Sequence, residues 1–86
     1  MSREIELQVT CNGSYSVVQV EGDINRKTSS EVRAAILDLL QKGSEKGVIV
    51  DLKRAEHIDD IGACILMDAF AVAQERHMDF ILTGLN

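Results

Sequence analysis

No apolar run in this chain approaches the roughly 20 residues that a bilayer-spanning helix needs. The amino terminus, MSREIELQVT, also lacks the apolar segment of a secretory signal. A cytoplasmic location is therefore expected. Basic residues are scarce: nine Lys and Arg stand against fourteen Asp and Glu, for a formal charge of −5, and the nine are scattered. Phosphate backbones and anionic lipid surfaces are gripped by clustered cations, so the expected partner is a protein, with no nucleic acid and no direct membrane insertion. Cysteine is scarce too. Cys11 and Cys64 lie far apart in no CxxC or Cys/His pattern, which indicates neither a zinc site nor a disulfide framework; both read as buried or half-buried free thiols. His57 and His77 have no second ligand at metal spacing and read as surface or boundary residues.

Catalytic signatures are missing as well. There is no Gly-rich phosphate loop and no GxSxG elbow. Asp51, Asp59 and Asp60 could cluster, yet no histidine or lysine accompanies them at a recognisable spacing for acid–base or metal work. The chain reads as a non-enzyme with no cofactor and no metal.

What is present describes one globular domain over residues 1–86, with 45% hydrophobic content and no repeats or linkers. A domain this short buries only about 60–65% of its unfolded surface, so partners or self-association are expected to add to a thin core. Ile5, Leu7 and Val9 alternate with polar residues, and after the Asn12-Gly13 turn signal Val17, Val18 and Val20 resume the strand pattern. Gly22-Asp23-Ile24-Asn25 reads as a loop, and Thr28-Ser29-Ser30-Glu31 as a capping box opening a helix. That helix carries Val32, Ala35, Ile36, Leu39 and Leu40 on one stripe and stops at Gly43. Val48-Ile49-Val50-Asp51-Leu52 is a β-branched run suited to a parallel strand covered on both faces, and a short polar loop follows it. A second helix is expected from about Asp60 to His77, and Phe80–Thr83 gives a last strand. The order ββαβαβ, with helical crossovers, predicts an α/β fold: helices packed on a mixed sheet that has a parallel centre and an antiparallel hairpin at one side.

At 100° per residue, Gly62, Leu66, Ala69, Phe70 and Ala73 share the face of the second helix that should meet the sheet. Ile61, Ile65, Asp68, Val72 and Glu75, with Cys64 alongside, fall opposite. Aliphatics around an acid, next to Asp59-Asp60, read as an interaction surface.

Four segments carry a resemblance. Gly22-Asp23-Ile24-Asn25, Thr28 through Arg33, Val48-Ile49-Val50-Asp51-Leu52 and Ile58-Asp59-Asp60-Ile61-Gly62 resemble, in order and spacing, the STAS domains of bacterial anti-sigma-factor antagonists. The family pattern is G(E/D)hD…TxxxhR…hhhDh…hhD(S/T)xG, with h apolar, and the likeness runs from about Tyr15 to Leu85. It implies a non-catalytic, partner-switching domain whose serine or threonine at a helix start is phosphorylated by a kinase-type anti-sigma factor. Taken with the outward face of the second helix, it leads to an expected contact surface of Asp23, Asn25, Thr28, Asp59, Asp60, Ile61, Cys64, Ile65 and Asp68. Added phosphate charge at such a surface changes hydrogen bonding and desolvation together.

Two positions depart from the pattern. Asp60 stands where the phosphoacceptor hydroxyl belongs, and Asn25 stands where many members carry aspartate. Three roles are open to Asp60: a fixed mimic of the phosphorylated state, part of a surface for a constitutive partner, or a first-turn acid that complements the helix dipole. Asp59 reads mainly as a cap. Family members usually continue past the strand at Phe80–Thr83 with a further helix and often a short strand, so either this is a truncated form or a partner covers the apolar surface left open, and a homodimer or a complex is expected.

Other classes fit less well. A related alternative is the STAS subunit of a phospholipid ABC transport system that binds its ATPase. A two-component receiver would need an acidic pair after an early strand and a late lysine, and neither is in place around Asp51.

Overall fold

A computed structural model of the chain describes residues 4–43 and 46–85. Its elements are β1 (Ile5–Asn12), β2 (Tyr15–Ile24), α1 (Ser29–Asp38), a π-helical turn (Leu39–Gly43), β3 (Gly47–Ile58), α2 (Asp60–Glu75) and β4 (Asp79–Thr83). The four strands form one sheet in the order β1-β2-β3-β4. β1 and β2 are antiparallel, while β2–β3 and β3–β4 are parallel. The expected ββαβαβ order and mixed sheet are thus what the chain adopts.

The hairpin forms because Gly13, at φ 63°, supplies the positive dihedral that a two-residue turn needs at its first central position. Asn12 then pairs with Tyr15. From β2 the chain advances in one direction, through α1 to β3 and through α2 to β4. Right-handed crossovers along one direction place both helices on the same face of the sheet, and α1 and α2 accordingly pack against each other. The core lies between these layers. Val18, Val20, Ile24, Val48 and Val50 meet Val32, Ile36, Leu66 and Ala69 there.

Several local expectations are corrected. β3 is covered on one face only: Val48, Val50 and Leu52 point inward, whereas Ile49 and Asp51 are half-buried on the helix-free face. The stretch after Leu52 is not a loop. Residues through Ile58 remain strand because β2 also continues to Ile24 and pairs with them, so Gly22–Ile24 is strand as well. The capping box at Thr28 does not form, since the Thr28 side chain caps no helical N–H.

The second helix ends at Glu75 rather than His77. His77 adopts φ 58°, and its N–H donates to the Gln74 carbonyl at 3.1 Å while Met78 N–H donates to the Ala73 carbonyl at 2.9 Å. These paired bonds make a Schellman stop, with histidine where glycine is usual. Both cysteines are exposed, against expectation. Cys11 lies on the edge strand, and Cys64 on the outward side of α2.

Candidate functional site

Parallel pairing of β2 with β3 decides where the chemistry-bearing residues meet. Ile24 and Ile58 are register partners at the strand ends, and Asp59 N–H donates to the Ile24 carbonyl at 3.1 Å. The loop after β2 and the start of α2 are thereby sewn together. Strand C-terminal ends next to a helix N-terminus are where α/β sheets place ligands and partners.

The loop after β2 is built from its own polar side chains. Asn25 Oδ1 accepts from the N–H groups of Lys27 (2.9 Å) and Thr28 (3.2 Å), an Asx-type turn that leads into α1. The Thr28 hydroxyl donates to the Asp23 carbonyl at 2.7 Å and accepts from Asn25 N–H at 2.9 Å. Thr28, expected on the contact surface, is only 5% exposed and instead clasps the loop from inside. This burial explains the missing capping box: the hydroxyl is committed to loop backbone groups that would otherwise lie unpaired. Asp23 and Asn25 are half-buried at the rim.

The start of α2 follows the expected capping. Asp59 is extended at φ −87°, ψ −176°, and its Oδ1 accepts from Gly62 N–H at 2.8 Å, the bond an N-cap makes to the third helical residue. Gly62 sits against β2. A Cβ there would collide with the Ile24 carbonyl and side chain, which is the physical reason for glycine at this place. Asp60, one residue into the helix, is exposed, and its negative charge complements the helix N-terminus.

Beyond the first turn, Ile61 (41% exposed), Cys64 and Asp68 present an outward stripe as expected. Ile65 does not join it. At 8% exposure it is a core residue, because α2 is covered by α1 as well as by the sheet and its buried arc is correspondingly wide. Val72 is half-buried for the same reason.

Phe70 departs in the other direction. Expected against the sheet, it is exposed at the helix edge, with its ring centroid 6.2 Å from that of Phe80 in an edge-on arrangement. Together with Met67, Leu82 and Leu85 it lines an apolar groove of about 680 Å³ between α2 and β4. At 100° per residue Met67 falls between Phe70 and Cys64, on neither of the two expected faces of the helix.

A family model described as "Mlab, STAS domain" matches residues 7–86. The chain belongs to the STAS domain family. Solved structures that share its fold include the following three. An anti-sigma-factor antagonist STAS domain from Rhodobacter sphaeroides aligns with TM-score 0.77 at 17% identity, over 93% of this chain and 86% of that one. An anti-sigma factor antagonist from Mycobacterium paratuberculosis aligns with TM-score 0.77 at 23% identity, over 93% and 68%. Moorella thermoacetica RsbS carrying a serine-to-glutamate substitution aligns with TM-score 0.79 at 20% identity, over 93% and 68%. At these identities the likeness is one of fold. Among the described residues, no helix of this STAS domain is long and apolar enough to cross a membrane.

Proposed function

We propose that this STAS domain is a non-catalytic protein-binding module of an anti-sigma-factor-antagonist type, with its partner docking over the β2–α1 loop and the first half of α2. The observation that carries this reading is the exposed strip of Asp60, Ile61, Cys64 and Asp68 beside the rim residues Asp23 and Asn25, held there by the Asp59–Ile24 backbone bond. Acids interleaved with apolar groups suit a protein surface, and with a net charge of −5 the natural complement is a basic, partly apolar patch.

Asp60 has the place of the family's phosphoacceptor and the character of its charged state. A carboxylate carries less charge than a phosphate and has fewer acceptor oxygens, so Asp60 holds the surface partway toward the phosphorylated form. Binding to a kinase-type anti-sigma factor, measured for the natural chain, Asp60→Ser and Asp60→Ala, tests this. Both replacements tighten binding if the carboxylate stands in for phosphate, and kinase with ATP then weakens only the serine variant. Equal affinity for all three removes the mimic.

One feature favours a second reading. Asp60 offers no hydroxyl to a kinase, which suits a constitutive partner such as the ATPase of a phospholipid ABC system. Affinity capture from the source cells separates the two. Recovery of an ATPase subunit without any kinase-type anti-sigma factor selects the transport reading.

A further inference from the structure

The parallel pairing of β2 and β3 is irregular at two places, between Gln19 and Glu21 and between Gly22 and Asp23, and the second bears on the side chains at the strand ends. Gly22 faces Ala55, but the next partner of Asp23 is His57, so Glu56 is an extra residue in β3. Regular alternation would send Glu56 and His57 to opposite faces of the sheet. A bulge of this kind re-aims side chains. Here it brings Glu56 and His57 round to Asp23, so that one ligand atom from each lies within 4.8 Å of the other two.

We propose that Asp23, Glu56 and His57 form a binding site for a divalent transition-metal ion, best matched by Zn²⁺. The His57 Nδ1 to Asp23 Oδ1 distance is 3.1 Å. Adjacent ligands around a tetrahedral ion with bonds of about 2.0–2.2 Å lie about 3.3–3.6 Å apart, so that edge need open by only a few tenths of an ångström to admit the ion. Glu56 is exposed and closes the remaining edges by rotating its side chain. His57, 83% exposed at its side chain, leaves the outer positions of the ion open to water.

The donor set selects the metal. Carboxylates alone suit Mg²⁺ or Ca²⁺, whereas an imidazole shifts preference toward zinc and its neighbours. Two carboxylates neutralise the ion's charge. Binding displaces any proton on Nδ1, and the ion ties the end of β2 to the end of β3, immediately before the loops of the candidate site. The metal site shares Asp23 with the proposed docking surface, but its argument and its test do not rest on that reading.

The test uses the full chain with Cys11→Ser and Cys64→Ser, because exposed thiols also take zinc. Calorimetric titration with ZnCl₂ should show one saturable site, and the His57 ring nitrogens should shift while those of His77 do not. His57→Ala and Glu56→Gln should each weaken binding by about tenfold or more. Both residues are exposed, and an unchanged amide spectrum confirms that each variant is folded. Absence of saturable binding at millimolar zinc, or binding unaffected by both substitutions, overturns the proposal.

Discussion

Asp59 N–H donates to the carbonyl of Ile24 at 3.1 Å, and the same carbonyl leaves no room for a side chain on Gly62. One oxygen at the end of β2 thus fixes both the entry of α2 and its distance from the sheet. Gly62→Ala forces either the helix or the strand to shift. It should cost about 1–3 kcal/mol, as overpacked sites do, read as a lower urea midpoint with an unchanged slope. A variant as stable as the natural chain would show that α2 is not held this closely.

Thr28 supports the loop on the other side of the site. Thr28→Val keeps the shape and removes the hydroxyl, leaving the Asp23 carbonyl and the Asn25 N–H without their partner. Each buried unpaired group costs about 1–3 kcal/mol, and Thr28→Ser should restore most of the loss. Equal stability of Val and Ser variants would contradict the clasp.

The architecture was legible in the residues, and so was the cap: alternation at Ile5–Val9, the Asn12-Gly13 turn, the β-branched run at Val48 and the acid pair before an apolar helix each specify local structure directly. What escaped was set by pairing at a distance. Lys53–Ile58 is polar and resembles a loop, but the extension of β2 to Ile24 gives it hydrogen-bond partners. Ile65 looks exposed on a wheel drawn against a sheet alone, yet α1 covers it. The meeting of Asp23 with Glu56 and His57 depends on one bulge, and no spacing in the sequence announces that.

Tyr15 offers a clean spectroscopic probe, being the only tyrosine in the chain. It pairs in register with Gly47, and Gly47 with Asp79, so the phenol reaches across a strand position without a side chain and donates to Asp79 Oδ2 at 2.7 Å. That hydrogen bond, helped by desolvation and by the charge of Asp79, raises the phenol pKa above its ordinary value. The raised value means that the folded state holds the proton longer than the unfolded chain. The contact's contribution is therefore complete below pH about 10 and is lost as pH rises through the folded-state value. Absorbance titration of the phenolate should give a midpoint above the ordinary one, returning toward it in Asp79→Ala. No difference between the two forms would show the bond to be absent in solution.

His77 carries backbone strain that glycine would relieve. An L residue in the left-handed region costs about 1–2 kcal/mol, while glycine loses about 0.5–1 kcal/mol more in chain entropy. His77→Gly should therefore stabilise the fold by about 0.5–1 kcal/mol in thermal or urea unfolding. A destabilised variant would mean that the His77 side chain contributes contacts of its own.

Mapping the partner's footprint by amide shift changes on the labelled domain tests the central claim most directly. The account predicts that perturbed residues gather at Asp23–Asn25 and along Asp60, Ile61, Cys64 and Asp68. Ile61→Asp should then abolish binding while the spectrum stays folded. A footprint on the helix-free sheet face around Val17, Ile49 and Ile81, with the start of α2 untouched, would contradict it.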